Sequence, residues 1–293
     1  MANKGFMETA KNGFAVTVEI PPPKGSRPDK SLEIAKEIAG RVDAVNVTDN
    51  QRAVVRMSAL AYCKHLADVG CVPLLQLCGR DRNRLAIQSD LLGAASFGID
   101  NICVMTGDHT TMGDTPGAKA VFDLDAVQLI KLADDLSNGI SINGKSLKNH
   151  PTFHIGGVIN PFYEPFDLEL LKLKKKIRAG AKFFQTQPFF DKKSLESFLE
   201  KVKGVNAKIL IGITPLKSEK MITFLNENVL TTPIPEDIIE RIKGAADPAE
   251  EGLKLSAEFV NDIKNGDYDI GGVHLMPIGQ VEKIPHLLEM IGR

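Results

Sequence analysis

Residues 154–186, HIGGVINPFYEPFDLELLKLKKKIRAGAKFFQT, hold a complete strand–helix–strand unit. His154–Ile159 and Phe183–Thr186 are short runs of β-favouring residues, one closed by Asn160-Pro161 and the other opened after Ala179-Gly180-Ala181. Between them, Asp167–Ala179 carries Leu168, Leu170, Leu171, Leu173 and Ile177, with its lysines expected largely on the opposite face. Two parallel strands need a crossover of a dozen or more residues, usually a helix. The stretch therefore reads as a βαβ unit.

The same unit recurs in both directions along the chain. Strand-like runs fall at Phe14–Ile20, Ala44–Thr48, Pro73–Leu77, Asn101–Met105, Ile209–Gly212 and Gly272–Met276. With the first two, they make eight, and their starts step by 30, 29, 28, 53, 29, 26 and 63 residues. A strand, a helix and two loops take about 30 residues. The two long steps hold extra material, the Gly-containing segment Thr106–Phe122 and a helical pair around Glu236–Lys243 and Glu250–Lys264. A helix from about Asn83 to Phe97 carries Leu85, Ala86, Leu91, Leu92 and Ala95, and Asp191–Val202 turns Leu195, Phe198 and Leu199 inward. Asn83 and Asp191 are the expected N-caps. Eight strands in this length favour a single (β/α)8 TIM barrel over residues 1–293, in the α/β class. An open doubly wound sheet is the alternative, but its GxGxxG fingerprint is missing, because the first strand runs into Pro21-Pro22-Pro23.

Composition narrows the function. Charge nearly cancels, with 36 Lys and Arg against 37 Asp and Glu, which gives no electrostatic footprint for nucleic acid. No apolar run is long enough for a membrane span. Met1–Lys11 show neither an apolar core nor a small-residue cleavage site, so a cytoplasmic setting is expected rather than secretion. Cys63, Cys71, Cys78 and Cys103 form no CxxC pair and read as buried thiols. His109, His154 and His274 belong to different strand ends, so no metal site is expected.

Barrel active sites collect at the C-terminal ends of the strands. Those ends read Glu19-Ile20-Pro21, Thr48-Asp49-Asn50, Gln76-Leu77-Cys78-Gly79, Thr106-Gly107-Asp108, Asn160-Pro161, Thr186-Gln187-Pro188, Thr214-Pro215 and Met276-Pro277. Glu19 sits in an apolar strand, where burial raises a carboxyl pKa toward that of a neutral-pH general acid. Pairing with a buried Lys or Arg is the plainer alternative. Asp108 follows Gly107, where the missing side chain admits a ligand, although a turn or cap serves equally well. Gln187 both donates and accepts, which suits the amide edge of a heteroaromatic ring or a loop hydrogen bond. The basic run Lys172, Lys174, Lys175, Lys176 and Arg178 is by default a solvated helix face.

These pieces, in this order, resemble the methylenetetrahydrofolate reductase family over almost the whole chain. The resemblance is carried by Val18-Glu19-Ile20-Pro21-Pro22-Pro23, Val45-Asn46-Val47-Thr48, Arg80-Asp81-Arg82-Asn83, Thr106-Gly107-Asp108 and Gly212-Ile213-Thr214-Pro215. Its longest piece runs from Leu173 through Ala179-Gly180-Ala181 to Gln185-Thr186-Gln187-Pro188-Phe189-Phe190-Asp191. The likeness is to the short bacterial type. It implies a barrel holding FAD and interconverting 5,10-methylenetetrahydrofolate and 5-methyltetrahydrofolate by hydride transfer. Glu19 then matches the general acid, Asp108 the carboxylate near pterin and flavin, and Gln187 the glutamine that binds pterin or nicotinamide. Thr48, Gln76, Gly107, Phe122, Glu169, Lys176 and Ala181 fall where the family contacts FAD.

The chain also departs from the pattern. Thr106 stands where a basic residue is frequent, Gln76 where His is, and Asn160 and Asp49 where aromatic residues occur. The reductant is accordingly expected to be NAD(P)H or a partner electron-transfer subunit, in an oligomer. A pterin-binding methyltransferase barrel, which needs no flavin, is the alternative function.

Overall fold

The computed structural model describes residues 5–293, so the first four residues of the Met1–Lys11 reading lie outside the described residues. Eight strands are present: β1 (Ala15–Glu19), β2 (Ala44–Val47), β3 (Pro73–Cys78), β4 (Asn101–Met105), β5 (His154–Ile159), β6 (Phe183–Pro188), β7 (Lys208–Ile213) and β8 (Gly272–Leu275). All pair in parallel with their sequence neighbours, and β8 pairs back onto β1, so the sheet is a closed barrel in the order β1 to β8. Closure disposes of the open-sheet alternative.

Eleven α-helices are described: α1 (Phe6–Asn12), α2 (Asp29–Ile38), α3 (Ala59–Asp68), α4 (Arg84–Ser96), α5 (Ala126–Ser137), α6 (Phe166–Arg178), α7 (Lys192–Lys201), α8 (Glu219–Asn228), α9 (Glu236–Gly244), α10 (Pro248–Asn265) and α11 (Ile284–Met290). Both expected caps form. The Asn83 side chain accepts from the Leu85 and Ala86 N–H groups, and that of Asp191 from Ser194 N–H. None of these helices is long and apolar enough to cross a membrane.

Two helix faces differ from the sequence expectation. On α4 the buried residues are Ile87, Leu91 and Ala94, while Leu85 and Leu92 are exposed. On α6, Leu168 and Leu171 face solvent and Glu169 and Lys176 are buried beside Leu173. The rotation has a local cause. Asn160 N–H donates to Glu169 Oε1, and Lys176 Nζ donates to Val158 O at 2.6 Å. Satisfying the polar edge of β5 turns the charged pair inward and two leucines outward.

The lumen is filled from the bottom. Ala15, Ala44, Leu74, Cys103, Phe183 and Leu210 form one buried cluster with Phe6, Met7 and Ala10 of α1, which plugs the N-terminal end. Phe6 meets Phe183 edge-on, with ring centroids 5.1 Å apart. Gly156 makes room for this plug, because a Cβ there would sit 2.2 Å from the Phe183 ring. Above the plug the lumen turns polar. Gln185 Nε2 donates to Asn46 Oδ1 at 3.3 Å, which joins β6 to β2 across the barrel. Ligands are therefore confined to the mouth above this layer.

Candidate active site

Side chains alternate along a strand, so Thr17 and Glu19 share the luminal face of β1. Glu19 is the upper of the two, in register with Asn46 of β2. Its side chain is 8% exposed, and burial pushes its pKa up to about 7. Gln51 Nε2 donates to Glu19 Oε1 at 3.3 Å, and the Arg56 charge also acts to lower the value, but desolvation wins. The described residues show no Lys or Arg salt bridge to Glu19. Its ionisable neighbour is His274 of β8, whose Nε2 lies 3.9 Å from Oε2. Burial drives His274 down to about 3, so its ring is neutral near pH 7. His274 Nδ1 lies 2.9 Å from Thr17 Oγ1, and that hydroxyl is also 3.4 Å from Val273 O. A hydroxyl donating to Val273 O accepts a hydrogen bond from Nδ1–H, which leaves the Nε2 lone pair facing Glu19. The floor of the mouth thus holds a carboxyl poised between its two forms near neutral pH.

Asp108 lies past β4 with its side chain exposed at the rim. It is presented by Gly107, whose φ of +92° disfavours other residues and whose Cβ would lie 3.0 Å from that of Cys78. Gln187, within β6, is likewise exposed. Glu19, Asp108 and Gln187 therefore share the C-terminal face of one barrel, from three separate strand ends.

The other predicted residues fall into two groups. Thr48 (1% exposed), Gln76, Gly107 and Phe122 line the mouth on the β2 to β4 side. Phe122 is half exposed and stacks on His109, with ring centroids 6.2 Å apart. Glu169, Lys176 and Ala181 are buried behind β5 and β6. The β4–β5 ladder stops at Cys103↔Gly156, and Lys176 reaches this seam, close enough for its charge to act on the luminal Cys103 thiol. Burial lowers the ammonium's pKa.

Whether these residues suit a flavin can be tested on the polar atoms they leave unpaired. Thr48 Oγ1, Asn46 Nδ2 and Thr214 Oγ1 are buried without a hydrogen-bond partner. Buried polar groups are nearly always paired, so the orphan hydroxyls of Thr48 and Thr214, just past the C-terminal ends of β2 and β7, suit a ligand rich in donors and acceptors above the Asn46–Gln185 layer. The partly exposed Phe122 ring agrees with a planar, electron-poor heterocycle. The donor set fits.

Sequence reasoning missed the lattice that supports this mouth. Arg80 is 2% exposed and grips Asp81 through Nε and Nη2 at 2.7 and 2.6 Å. It also donates to Asn50 O (3.2 Å) and Asp108 O (3.3 Å), tying the loops after β2 and β4 to its own. Arg82 binds Asp49 through two bonds of 2.6 and 3.2 Å, and Cys78 N–H donates to the same carboxylate. Asp49 is therefore turned into the wall and away from the mouth. The signal was present: three charges directly after a buried strand need partners, and Asp49 stands at the neighbouring strand end.

Comparison with known proteins bears on the fold and the family. A Caenorhabditis elegans protein named as a probable methylenetetrahydrofolate reductase (NADPH) is 26% identical over 248 residues, 81% of this chain. That match takes in 34% of the worm protein, so the chain spans about a third of this relative's length. Among solved structures, an uncharacterized protein from Clostridium thermocellum that binds two copies of 5-methyl-5,6,7,8-tetrahydrofolic acid superposes with a TM-score of 0.64. It is 17% identical, and the match covers 96% of this chain and 95% of that one. A 2,3-dimethylmalate lyase matches with a TM-score of 0.52 at 10% identity, covering 96% of this chain and 82% of its own, which is likeness of fold alone. The sequence model of the methylenetetrahydrofolate reductase family matches residues 6–292, and the chain belongs to that family.

Proposed function

We propose that this barrel interconverts 5,10-methylenetetrahydrofolate and 5-methyltetrahydrofolate, with FAD held at the mouth. One observation carries the reading: a buried carboxyl at the end of β1 whose pKa of about 7 lets it give and take a proton at neutral pH. Family membership supports the substrate class, as does the folate bound by the Clostridium thermocellum neighbour.

In the reductive direction Glu19 donates its proton to the ring nitrogen that leaves the methylene carbon. That C–N bond breaks, the nitrogen keeps the electron pair, and the remaining nitrogen forms an iminium with the carbon. A bound flavin supplies the hydride that this carbon accepts. Asp108 places a negative charge beside the cationic iminium and favours its formation. Gln187 reads the amide edge of the pterin, donating and accepting at once. When bound, the flavin would be held by Thr48, Gln76, Gly107 and Phe122, with Glu169, Lys176 and Ala181 contributing from the β5–β6 wall. The buried Asn46–Gln185 layer bars water from below. The electrons come from a nicotinamide or a partner subunit, in the cytoplasm.

The test is anaerobic mixing of the FAD-reconstituted protein with 5-methyltetrahydrofolate. The oxidised-flavin spectrum bleaches and 5,10-methylenetetrahydrofolate accumulates. A pterin methyltransferase would give neither result, so an unchanged spectrum with the folate demonstrably bound refutes the proposal.

A further inference from the structure

The loop joining β2 to α3 presents one amide to Glu19, and its backbone is held in an unusual shape to do so. Asn50, Arg52 and Ala53 have φ of 45°, 56° and 56°, in the left-handed region that non-glycine residues rarely occupy. Such backbone persists where its surroundings over-determine it. Here Arg80 donates to Asn50 O, and Arg56 N–H donates to Asn50 Oδ1 at 3.0 Å. Arg56 Nη1 donates to Pro22 O at 2.7 Å, which fastens the loop to the prolines after β1. Val55 N–H donates to Asp114 Oδ1, and a Cβ on Gly113 would lie 1.8 Å from Ala53 O, so the loop after β4 is packed directly against it. The Arg52 guanidinium lies over the Phe224 ring of α8, 5.0 Å from its centroid, which ties the loop to the element after β7. Fastened on these sides, the loop leaves Gln51 with its Nε2 on Glu19 Oε1.

We propose that Gln51 is the positioning residue of Glu19: its N–H holds Oε1 as the acceptor oxygen and so assigns the carboxyl proton to Oε2. The proposal rests on Glu19 being the proton donor of the reaction described above. A neutral carboxyl has one oxygen that only accepts, and an N–H aimed at Oε1 fixes which one that is. The same bond favours the ionised form and opposes desolvation. The other groups facing the carboxyl are the neutral His274 ring from β8, the Asn46 amide from β2 and the Arg56 charge from the loop itself. Removing the donor therefore leaves Glu19 holding its proton to higher pH.

The experiment titrates Glu19 in the full, ligand-free chain by infrared difference spectroscopy. The protonated C=O stretch is assigned by its loss in Glu19→Gln. Gln51→Met keeps the shape and removes the donor, and the Glu19 midpoint rises by about half a pH unit to one pH unit. Gln51→Glu, isosteric with the native residue, adds a like charge and raises it further. A midpoint unmoved in both variants overturns the proposal. The alkaline limb of folate turnover is measured on the same proteins and moves with the infrared midpoint. A shifted midpoint with an unmoved limb would leave Gln51 coupled to Glu19 and remove Glu19 from the reaction, which separates the two failures.

Discussion

Replacing Glu19 by Gln should stabilise the protein, and the gain should grow with pH. In the unfolded chain the carboxyl titrates near 4.5, and in the folded protein near 7. A carboxyl whose folded value is raised binds its proton more tightly in the native state. Stability from that proton is complete below the unfolded value and is lost as pH rises through the folded one. Integrating over this window, the stability lost relative to low pH is about 1 kcal/mol at pH 5, where the unfolded carboxyl has ionised and the folded one still holds its proton, and about 3 kcal/mol at pH 8, where both are ionised. Gln is shaped like the protonated acid: its oxygen accepts from Gln51 and its NH2 faces His274 Nε2. Any constant packing effect of the substitution cancels between the two pH values. The stability difference between variant and wild type should therefore widen by about 2 kcal/mol from pH 5 to pH 8. For a chain of this length that corresponds to about 3–4 °C in relative Tm. Urea or thermal unfolding across the range measures it. A gap independent of pH would mean that Glu19 is solvated and ionised throughout, and the argument for a neutral-pH acid would fall with it.

Four further outcomes follow from the same geometry. His274 is buried neutral while its unfolded form titrates near 6.5, so its contribution is present above that value and lost as pH falls toward about 3; unfolding of His274→Gln should show a flatter acid limb than wild type. Arg80→Met should cost about 1–3 kcal/mol in urea unfolding, because it releases the Asn50 and Asp108 carbonyls that the buried guanidinium ties together, while the partly exposed Asp81 regains water. Phe6→Ala opens a cavity against Phe183 at the floor of the barrel and should cost about 3–5 kcal/mol, with folate turnover per folded molecule retained. Asp108→Asn, at an exposed rim position, should leave Tm unchanged while weakening folate binding and slowing turnover; a lowered Tm with normal affinity would reduce Asp108 to a loop residue.

The barrel was legible because its signals are local and repeated. A run such as Asn101–Met105 or His154–Ile159 is bounded by its own turn residues, and the spacing of eight such runs leaves little choice of topology. The strand-end rule then placed Glu19, Asp108 and Gln187 on one face before any contact was known. The faces of α4 and α6 were not legible. Hydrophobicity alone cannot foresee that Lys176 and Glu169 are drawn inward by the free backbone groups of Val158 and Asn160, leaving Leu168 and Leu171 in water. The α1 plug was missed because seven residues are too few for a clear period. Gln51 and Arg80 act through partners on other strands, 32 and 28 residues away for Glu19 and Asp108, and such pairs are fixed by closure of the sheet.

In the proposed reaction the proton held by Glu19 is the one spent on the folate. Rapid mixing of the anaerobically reduced, FAD-loaded protein with 5,10-methylenetetrahydrofolate follows that proton, with wild type and Glu19→Gln run side by side. Wild type should reoxidise its flavin and yield 5-methyltetrahydrofolate. The variant should do so more slowly by about 10²–10⁴ while an artificial acceptor reoxidises both equally fast. Equal folate rates in the two proteins would remove Glu19 as the proton donor, and no reoxidation of wild type by the folate would remove the reaction itself.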